Sequence, residues 1–200
     1  MPMTELDRKA LINHALYPID ELDNPLRHRV VQNVQDELAD DGCAVIGNFL
    51  SPRGLDALVA EANARKHRTY FSPKKICNVY LSSGDDAYPD NHPRNVFIPR
   101  TNGFITADQF DAETASRQLY CWEPLRRFLA DCLNRHDLFI YEDPISNMIV
   151  NVGQPGQVFN WHFDTNEFTI TMLLQPAQSG GEFEYVPSLR TPGDERYDDV

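Results

Sequence analysis

The sequence is poor in positive charge and has no long apolar run. Lys and Arg number 18 against 30 Asp and Glu, so the net charge is −12 over 200 residues. No Lys/Arg cluster predicts a nucleic-acid surface, and an anionic membrane surface is disfavoured for the same reason. No apolar stretch approaches the ~18 residues of a membrane span, and the polar start at 1–8 lacks the apolar core of a secretory signal. We therefore expect a cytoplasmic protein with no nucleic-acid or membrane partner.

Cysteine is scarce, and its spacing predicts no metal site. The four cysteines contain no C-x-x-C pair and match no zinc module. Cys43 and Cys132 lie in apolar surroundings and are expected to be buried thiols. Because 42% of the residues are hydrophobic, the chain can bury a sizeable core. We predict one globular domain over residues 1–200.

The N-terminal part, residues 1–70, has a helical pattern. A helix is predicted over residues 4–22. Two more are predicted to begin at Asn24-Pro25 and at Ser51-Pro52, since in each case a capping side chain precedes a proline. Apolar residues follow each start at helical spacing, which predicts one buried face per helix.

The rest of the chain divides into three parts. Residues 71–115 are rich in Pro, Asn, Asp and Gly and predict a long loop or lid region, while residues 116–137 predict a helix. Residues 138–200 predict the first part of a β core. Short strands are expected at 76–81, 95–98, 138–141, 146–151, 158–163, 167–175 and 181–186. This order indicates an α+β fold, with a mainly β sandwich or barrel and helices packed outside it.

The segment that carries chemistry is NWHFDTNEF at 160–168. Side chains alternate along a strand, so His162 and Asp164 are predicted to share one face while Phe163 points to the other. An imidazole and a carboxylate can occupy two adjacent positions of an octahedral metal ion. With a second histidine they form the facial triad of non-haem Fe(II) oxygenases. A bare H-x-D is more often a surface hydrogen bond, and here its context in the predicted β core favours the metal.

These residues lie within a longer resemblance. The run Gln157–Gln175, the segment GGEFEYVP at 180–187 with Arg190, and 142–153 resemble the Fe(II)/2-oxoglutarate oxygenases related to free-lysine halogenases and amino-acid hydroxylases. The resemblance covers most of residues 35–190. It implies a double-stranded β-helix (jelly roll, cupin-like) with N-terminal helices outside, and it implies Fe(II), 2-oxoglutarate and O₂ as cofactor and co-substrates.

One position separates the two chemistries of this family. In the halogenases a small residue replaces the carboxylate and leaves room for halide, whereas Asp164 is present here. The resemblance therefore implies hydroxylation of an unactivated C–H bond, with succinate and CO₂ as co-products. The expected substrate is a free amino acid, with lysine or another basic amino acid first. Alternatives are a carrier-tethered amino acid, another small metabolite, or a non-catalytic jelly-roll binding protein, and a homodimer is left open.

Two parts of the family pattern are not found. A distal histidine and an arginine for 2-oxoglutarate should follow the Gly180-Gly181 strand. The other five histidines precede His162: His14, His28, His67, His92 and His136. We expect that the C-terminal part of the domain is missing from these 200 residues. The alternative is a degenerate member that holds iron poorly.

Further polar residues are candidates with ordinary structural alternatives. The candidates for 2-oxoglutarate are Asn147, Thr171 and Arg190, although the first two could serve cross-strand bonding. An Arg suits a bidentate carboxylate clamp, so Arg94 or Arg100 is predicted to bind the substrate carboxylate. The remaining substrate candidates are His92, Glu142, Trp161, Thr165 and Asn166. The ordinary alternatives are a solvated strand end for Glu142, core packing, which is favoured, for Trp161, and a simple turn for Thr165 and Asn166.

Overall fold

The computed structural model describes residues 4–200, apart from the side chain of Leu6. It contains helices and small antiparallel sheets. Contacts group the chain into two compact units, each made of two stretches of sequence. The helical unit runs up to His67 and resumes over Thr106–Val150, and the sheet unit comprises Arg68–Ile105 and Asn151–Val200. The prediction of a single domain is not tested by this division.

The helical unit contains α1 to α5. Their bounds are Glu5–Lys9, Pro25–Asp41, Pro52–Arg65, Ala115–Tyr120 and Glu123–Cys132. The predicted starts of α2 and α3 are confirmed. The Asn24 side chain accepts a hydrogen bond from the amide of Leu26 at 2.8 Å, and Ser51 Oγ accepts one from the amide of Gly54 at 3.0 Å. Each cap satisfies an amide that the helix itself leaves without a partner.

Two predicted helices are wrong in their extent. The helix expected over 4–22 is limited to α1, and the one expected over 116–137 is divided into α4 and α5. A proline in the first turn of α5 explains the division. Pro124 has no amide hydrogen to donate to the carbonyl of Tyr120, so the helix ends and restarts. None of the helices in residues 4–200 is long and apolar enough to cross a membrane.

The core of the helical unit is aromatic and aliphatic. Trp122 and Phe128 are its largest fully buried side chains, together with Leu11 and Ile19. The Trp122 indole N–H donates to Glu5 Oε1 at 2.9 Å, which satisfies a polar group that burial would otherwise penalise. Cys132 is buried here, as predicted.

The sheet unit has two small antiparallel sheets. The strands β1 to β5 are Tyr70–Phe71, Ile76–Cys77, Ile98–Pro99, Gly103–Ile105 and Val150–Val152. One sheet has the order β1-β4-β5, and the other pairs β2 with β3. Opposite residues in the first are Tyr70 with Phe104 and Phe71 with Gly103. A Cβ at Gly103 would lie 2.4 Å from Thr69 Cγ2, so only glycine fits this approach.

The predicted β core over 138–200 is mostly absent from the structure described. Of the strand expected at 146–151 only the end is found, since β5 begins at Val150. The strand expected at 158–163 is reduced to a single bridge between Phe159 and Arg100. The strands expected at 138–141, 167–175 and 181–186 are wrong. A strand needs a hydrogen-bonded neighbour, and the side chains of Phe139, Leu173 and Phe183 remain largely exposed instead. The double-stranded β-helix therefore stays a prediction.

Candidate functional site

The segment that carries His162 and Asp164 is attached to the sheet unit by backbone hydrogen bonds. The amide of Thr101 donates to the carbonyl of Val158 at 2.9 Å, and the amide of Phe163 donates to the carbonyl of Val79 at 2.7 Å. These bonds fix the chain on both sides of His162. The backbone here is not part of a regular strand, but the two predicted ligands still meet.

The His162 imidazole is oriented by a backbone carbonyl. Its Nδ1 lies 2.8 Å from the carbonyl oxygen of Asn160. A carbonyl can only accept, so this contact calls for a proton on Nδ1; whenever the ring is neutral, its lone pair then lies on Nε2. Metal-binding histidines are commonly held in this way, with one nitrogen bonded to the protein and the other directed at the ion.

Each of the two oxygens of the Asp164 carboxylate contacts a different side chain. Its Oδ1 lies 3.4 Å from His162 Nε2. Its Oδ2 accepts a hydrogen bond from Thr169 Oγ1 at 2.5 Å. The backbone carbonyl of Asp164 also accepts from Arg190 Nη2 at 3.2 Å. The side chain is 45% exposed, so solvent reaches the carboxylate.

The pair has the geometry of two neighbouring ligands on one ion. Two ligand atoms at about 2.1 Å from a divalent metal and at a right angle to each other are about 3 Å apart. The observed 3.4 Å between Nε2 of His162 and Oδ1 of Asp164 is close to that value. The donor types, an imidazole and a carboxylate without thiolate, fit ferrous iron. These two residues could therefore hold one metal ion together.

A third protein ligand does not join the pair within residues 4–200. The one group of three potential ligands found in that range is His14, Asp20 and Glu21 in the helical unit. There His14 Nε2 lies 2.5 Å from Asp20 Oδ1, and the ammonium of Lys9 also pairs with Asp20. Because a lysine already neutralises this carboxylate, the group has an internal explanation as an ion-pair network.

An aromatic and cationic stack lies beside His162. The Phe159 ring is parallel to the imidazole, with ring centroids 4.2 Å apart and an angle of 11° between the planes. The guanidinium of Arg100 lies 4.7 Å from the centroid of Phe159 and 5.1 Å from that of Phe104. Its Nε is buried and has no hydrogen-bond partner in the part of the chain that the structure describes. The structure thus brings Arg100, a predicted substrate residue, close to the predicted metal ligands.

Arg190 also lies beside the pair, but its charge is already engaged. Its Nη1 is 3.2 Å from Glu195 Oε2, and its guanidinium lies 4.1 Å from the centroid of Phe163. A 2-oxoglutarate carboxylate would have to compete with Glu195 for it. The role of Arg190 in binding the co-substrate remains a prediction.

His92 and Arg94 belong to a separate aromatic group. His92 stacks on Tyr88 with centroids 4.0 Å apart, and Arg94 Nε donates to Tyr197 Oη at 3.0 Å. This hydrogen bond raises the pKa of the Arg94 guanidinium, which is charged in any case. Tyr80, whose pKa is raised by burial, joins the group to Phe163 at 5.3 Å between centroids. A cavity of about 710 Å³ is lined by Tyr88, His92 and residues 193–199.

The other predicted site residues lie in bends or irregular backbone of the residues that the structure describes. Asn147 is in a bend of the helical unit, so its predicted strand position is wrong, and its side-chain oxygen accepts from Arg117 Nη1 at 3.0 Å. Thr171 also lies outside any strand. The exposed members of the predicted set are Glu142, Trp161, Thr165, Asn166 and Thr171. Trp161 is 49% exposed, so core packing does not explain it.

Sequence reasoning missed two residues that contact the ligand pair. Thr169, five residues after Asp164, donates a hydrogen bond to it, and Phe159, three residues before His162, stacks on its ring. Neither spacing has a recognisable signal in the sequence, because both contacts depend on how the irregular backbone turns. No protein-family model, curated protein or solved structure matches this chain.

Proposed function

We propose that this chain belongs to an Fe(II)- and 2-oxoglutarate-dependent oxygenase that hydroxylates a C–H bond of a free amino acid. The observation that supports the proposal most is the pairing of His162 Nε2 and Asp164 Oδ1 at 3.4 Å, with the remaining side-chain atoms of both residues held by the protein. Holding two side chains in one orientation costs conformational entropy, and a hydrogen-bonded pair on the surface gains little in return. The same orientation benefits a metal site, where ligand geometry determines affinity.

In this proposal the protein contributes two of three ligands on one face of the ion. His162 supplies a neutral nitrogen and Asp164 a negative oxygen, which lowers the net charge of the site. Fe(II) bound there with 2-oxoglutarate and O₂ would supply the oxidising power for hydroxylation, with succinate and CO₂ as co-products. Because Asp164 occupies the position that a halide would need, we propose hydroxylation and not halogenation. The proposal requires one further histidine.

We propose Arg100 as the residue that binds the substrate carboxylate. Its Nε is buried without an acceptor, and no ion pair with a carboxylate is found for it in residues 4–200. An unfilled buried donor is costly, and a planar carboxylate would satisfy it through the fork of the guanidinium. Arg94 is the weaker candidate because Tyr197 already accepts from its Nε.

The proposal is tested by measuring succinate. The purified protein that contains this chain together with the histidine that completes the triad is incubated with Fe(II), 2-oxoglutarate and a panel of amino acids that includes lysine. We expect succinate and a hydroxylated product with at least one basic amino acid, and none with His162→Ala or Asp164→Ala. The control is His67→Ala, which removes an exposed histidine of the helical unit and should change nothing. Absence of succinate with every amino acid would overturn the hydroxylase proposal.

A second candidate function is a binding protein that does not turn over. It is favoured by one observation: no third ligand joins His162 and Asp164 in residues 4–200. Calorimetric titration with 2-oxoglutarate, in the presence of Mn(II) to prevent turnover, separates the two. Binding of 2-oxoglutarate together with no succinate in the Fe(II) assay supports the second candidate.

A further inference from the structure

The Phe159 ring is placed where it can determine the plane of the His162 imidazole. The two rings are 4.2 Å apart and within 11° of parallel. A parallel neighbour at this distance leaves little room for the imidazole to tilt. The hydrogen bond from Nδ1 to the carbonyl of Asn160 fixes one atom of the ring but does not prevent rotation about that contact. The stack and the hydrogen bond together leave Nε2 one direction, towards Asp164.

Burial does not account for the position of Phe159. The side chain is 39% exposed, whereas the largest core side chains of this protein are almost fully buried. Partial exposure is ordinary for an apolar side chain, so the contacts of Phe159, and not its burial, indicate its role. The favourable contacts of Phe159 are concentrated on His162, on Phe104 at 6.5 Å in an edge-to-face arrangement, and on the Arg100 guanidinium.

The stack is itself fixed by the backbone. Phe159 forms an antiparallel bridge with Arg100, so the residue that carries the ring and the residue that carries the cation are paired through their main chains. The amide of Arg100 donates to the carbonyl of Lys75 at 2.8 Å, which ties this bridge to the neighbouring chain. The ring that contacts His162 therefore starts from a fixed backbone position.

We infer that Phe159 is a positioning residue for His162, which holds the imidazole in the orientation that a metal ion requires. This inference rests on the proposed function, because it assumes that His162 binds metal. Residues that orient a metal ligand commonly affect affinity by about 10- to 100-fold when replaced. Because Phe159 is partly exposed and Asn160 also holds the imidazole, we expect the lower end, about tenfold.

The test measures metal binding, with Mn(II) and Co(II), by calorimetry and by the visible absorption of the Co(II) complex. Phe159→Leu removes the flat ring but keeps apolar volume, and Phe159→Tyr keeps the ring. The matched control is Phe104→Leu, which disturbs the same aromatic group without touching His162. We expect about tenfold weaker binding and an altered Co(II) spectrum for Phe159→Leu, and values close to the wild type for the other two.

The outcomes separate this inference from the proposed function. If the wild-type chain shows no metal binding that His162→Ala removes, the proposed function is overturned and the inference has no basis. If that binding exists but Phe159→Leu binds as tightly as the wild type, the inference alone is overturned. Equal losses for Phe159→Leu and Phe104→Leu, with matching falls in melting temperature, would also overturn it, since general packing would then be the cause.

Discussion

The hydrogen bond from Thr169 to Asp164 provides the sharpest test of how the ligand pair is held. Thr169→Val replaces a hydroxyl by a methyl group of similar size and removes the donor to Asp164 Oδ2. The Asp164 carboxylate then loses the hydrogen bond to Oδ2 that keeps its other oxygen, Oδ1, directed at His162. We expect weaker metal binding with little change in stability, because the Thr169 side chain is exposed.

The magnitude follows from the charge and the exposure of the acceptor. A hydrogen bond to a charged group contributes about 1.5–3 kcal/mol. Asp164 is 45% exposed, so water replaces part of the loss. About 1 kcal/mol is then left, or about a fivefold rise in the dissociation constant. Thr169→Ser keeps the hydroxyl and should bind within about twofold of the wild type on the same scale.

The assay is calorimetric titration with Mn(II) in a double-mutant cycle. The effect of Thr169→Val should shrink in the Asp164→Glu background, since the longer side chain keeps a carboxylate for the metal but moves it away from the Thr169 hydroxyl. Two results would refute the reasoning. One is Thr169→Val binding metal as tightly as the wild type, or more tightly. The other is an equal loss with and without Asp164, which would mean that Thr169 acts through something else.

The helical unit allows three further predictions. Gly54→Ala should destabilise by about 3 kcal/mol in urea unfolding, although alanine normally favours a helix, because the new Cβ would lie 1.9 Å from the carbonyl oxygen of Leu11. Gly47→Ala, with nothing within 4 Å, is the control, and equal midpoints would contradict the clash. Native iodoacetamide labelling at pH 8, read by mass spectrometry, should modify exposed Cys121 and spare Cys132, because burial raises the pKa of the Cys132 thiol to about 12. The raised pKa of Cys132 contributes stability that is fully present below the ordinary pKa of 9.0. The contribution of Cys132 to the unfolding free energy should therefore fall as pH rises from 9.0 towards 12, and Cys132→Ser should abolish this pH dependence.

Local sequence signals predicted the helix starts because the cause is local. Asn24 and Ser51 each bond an amide two or three residues away, so the pattern of cap and proline contains everything that the start of the helix needs. The break between α4 and α5 also has a local cause, since Pro124 cannot donate an amide hydrogen to the carbonyl of Tyr120, although one helix was predicted over 116–137.

The strands were predicted less well because their cause is not local. An alternating apolar pattern describes which face a strand would bury, but the strand forms only where another segment accepts its hydrogen bonds. Residues 167–175 and 181–186 have the pattern but form no strand in the part of the chain that the structure describes. The run at 158–163 finds a partner at one residue, through the bridge from Phe159 to Arg100.

The contact between His162 and Asp164 was predicted from the alternation of side chains along a strand, although residues 160–164 form no strand. Side chains two residues apart share a side wherever the backbone is extended, whether or not a neighbouring strand accepts its hydrogen bonds. Phe163 fits this account, since it contacts Tyr80 and Arg190 and not the pair. What alternation could not supply is the orientation within the pair. That depends on Phe159 and Thr169, whose contacts form only when the chain turns back on itself. The two proposed ligands are therefore encoded over three residues, while their geometry depends on the fold of the sheet unit.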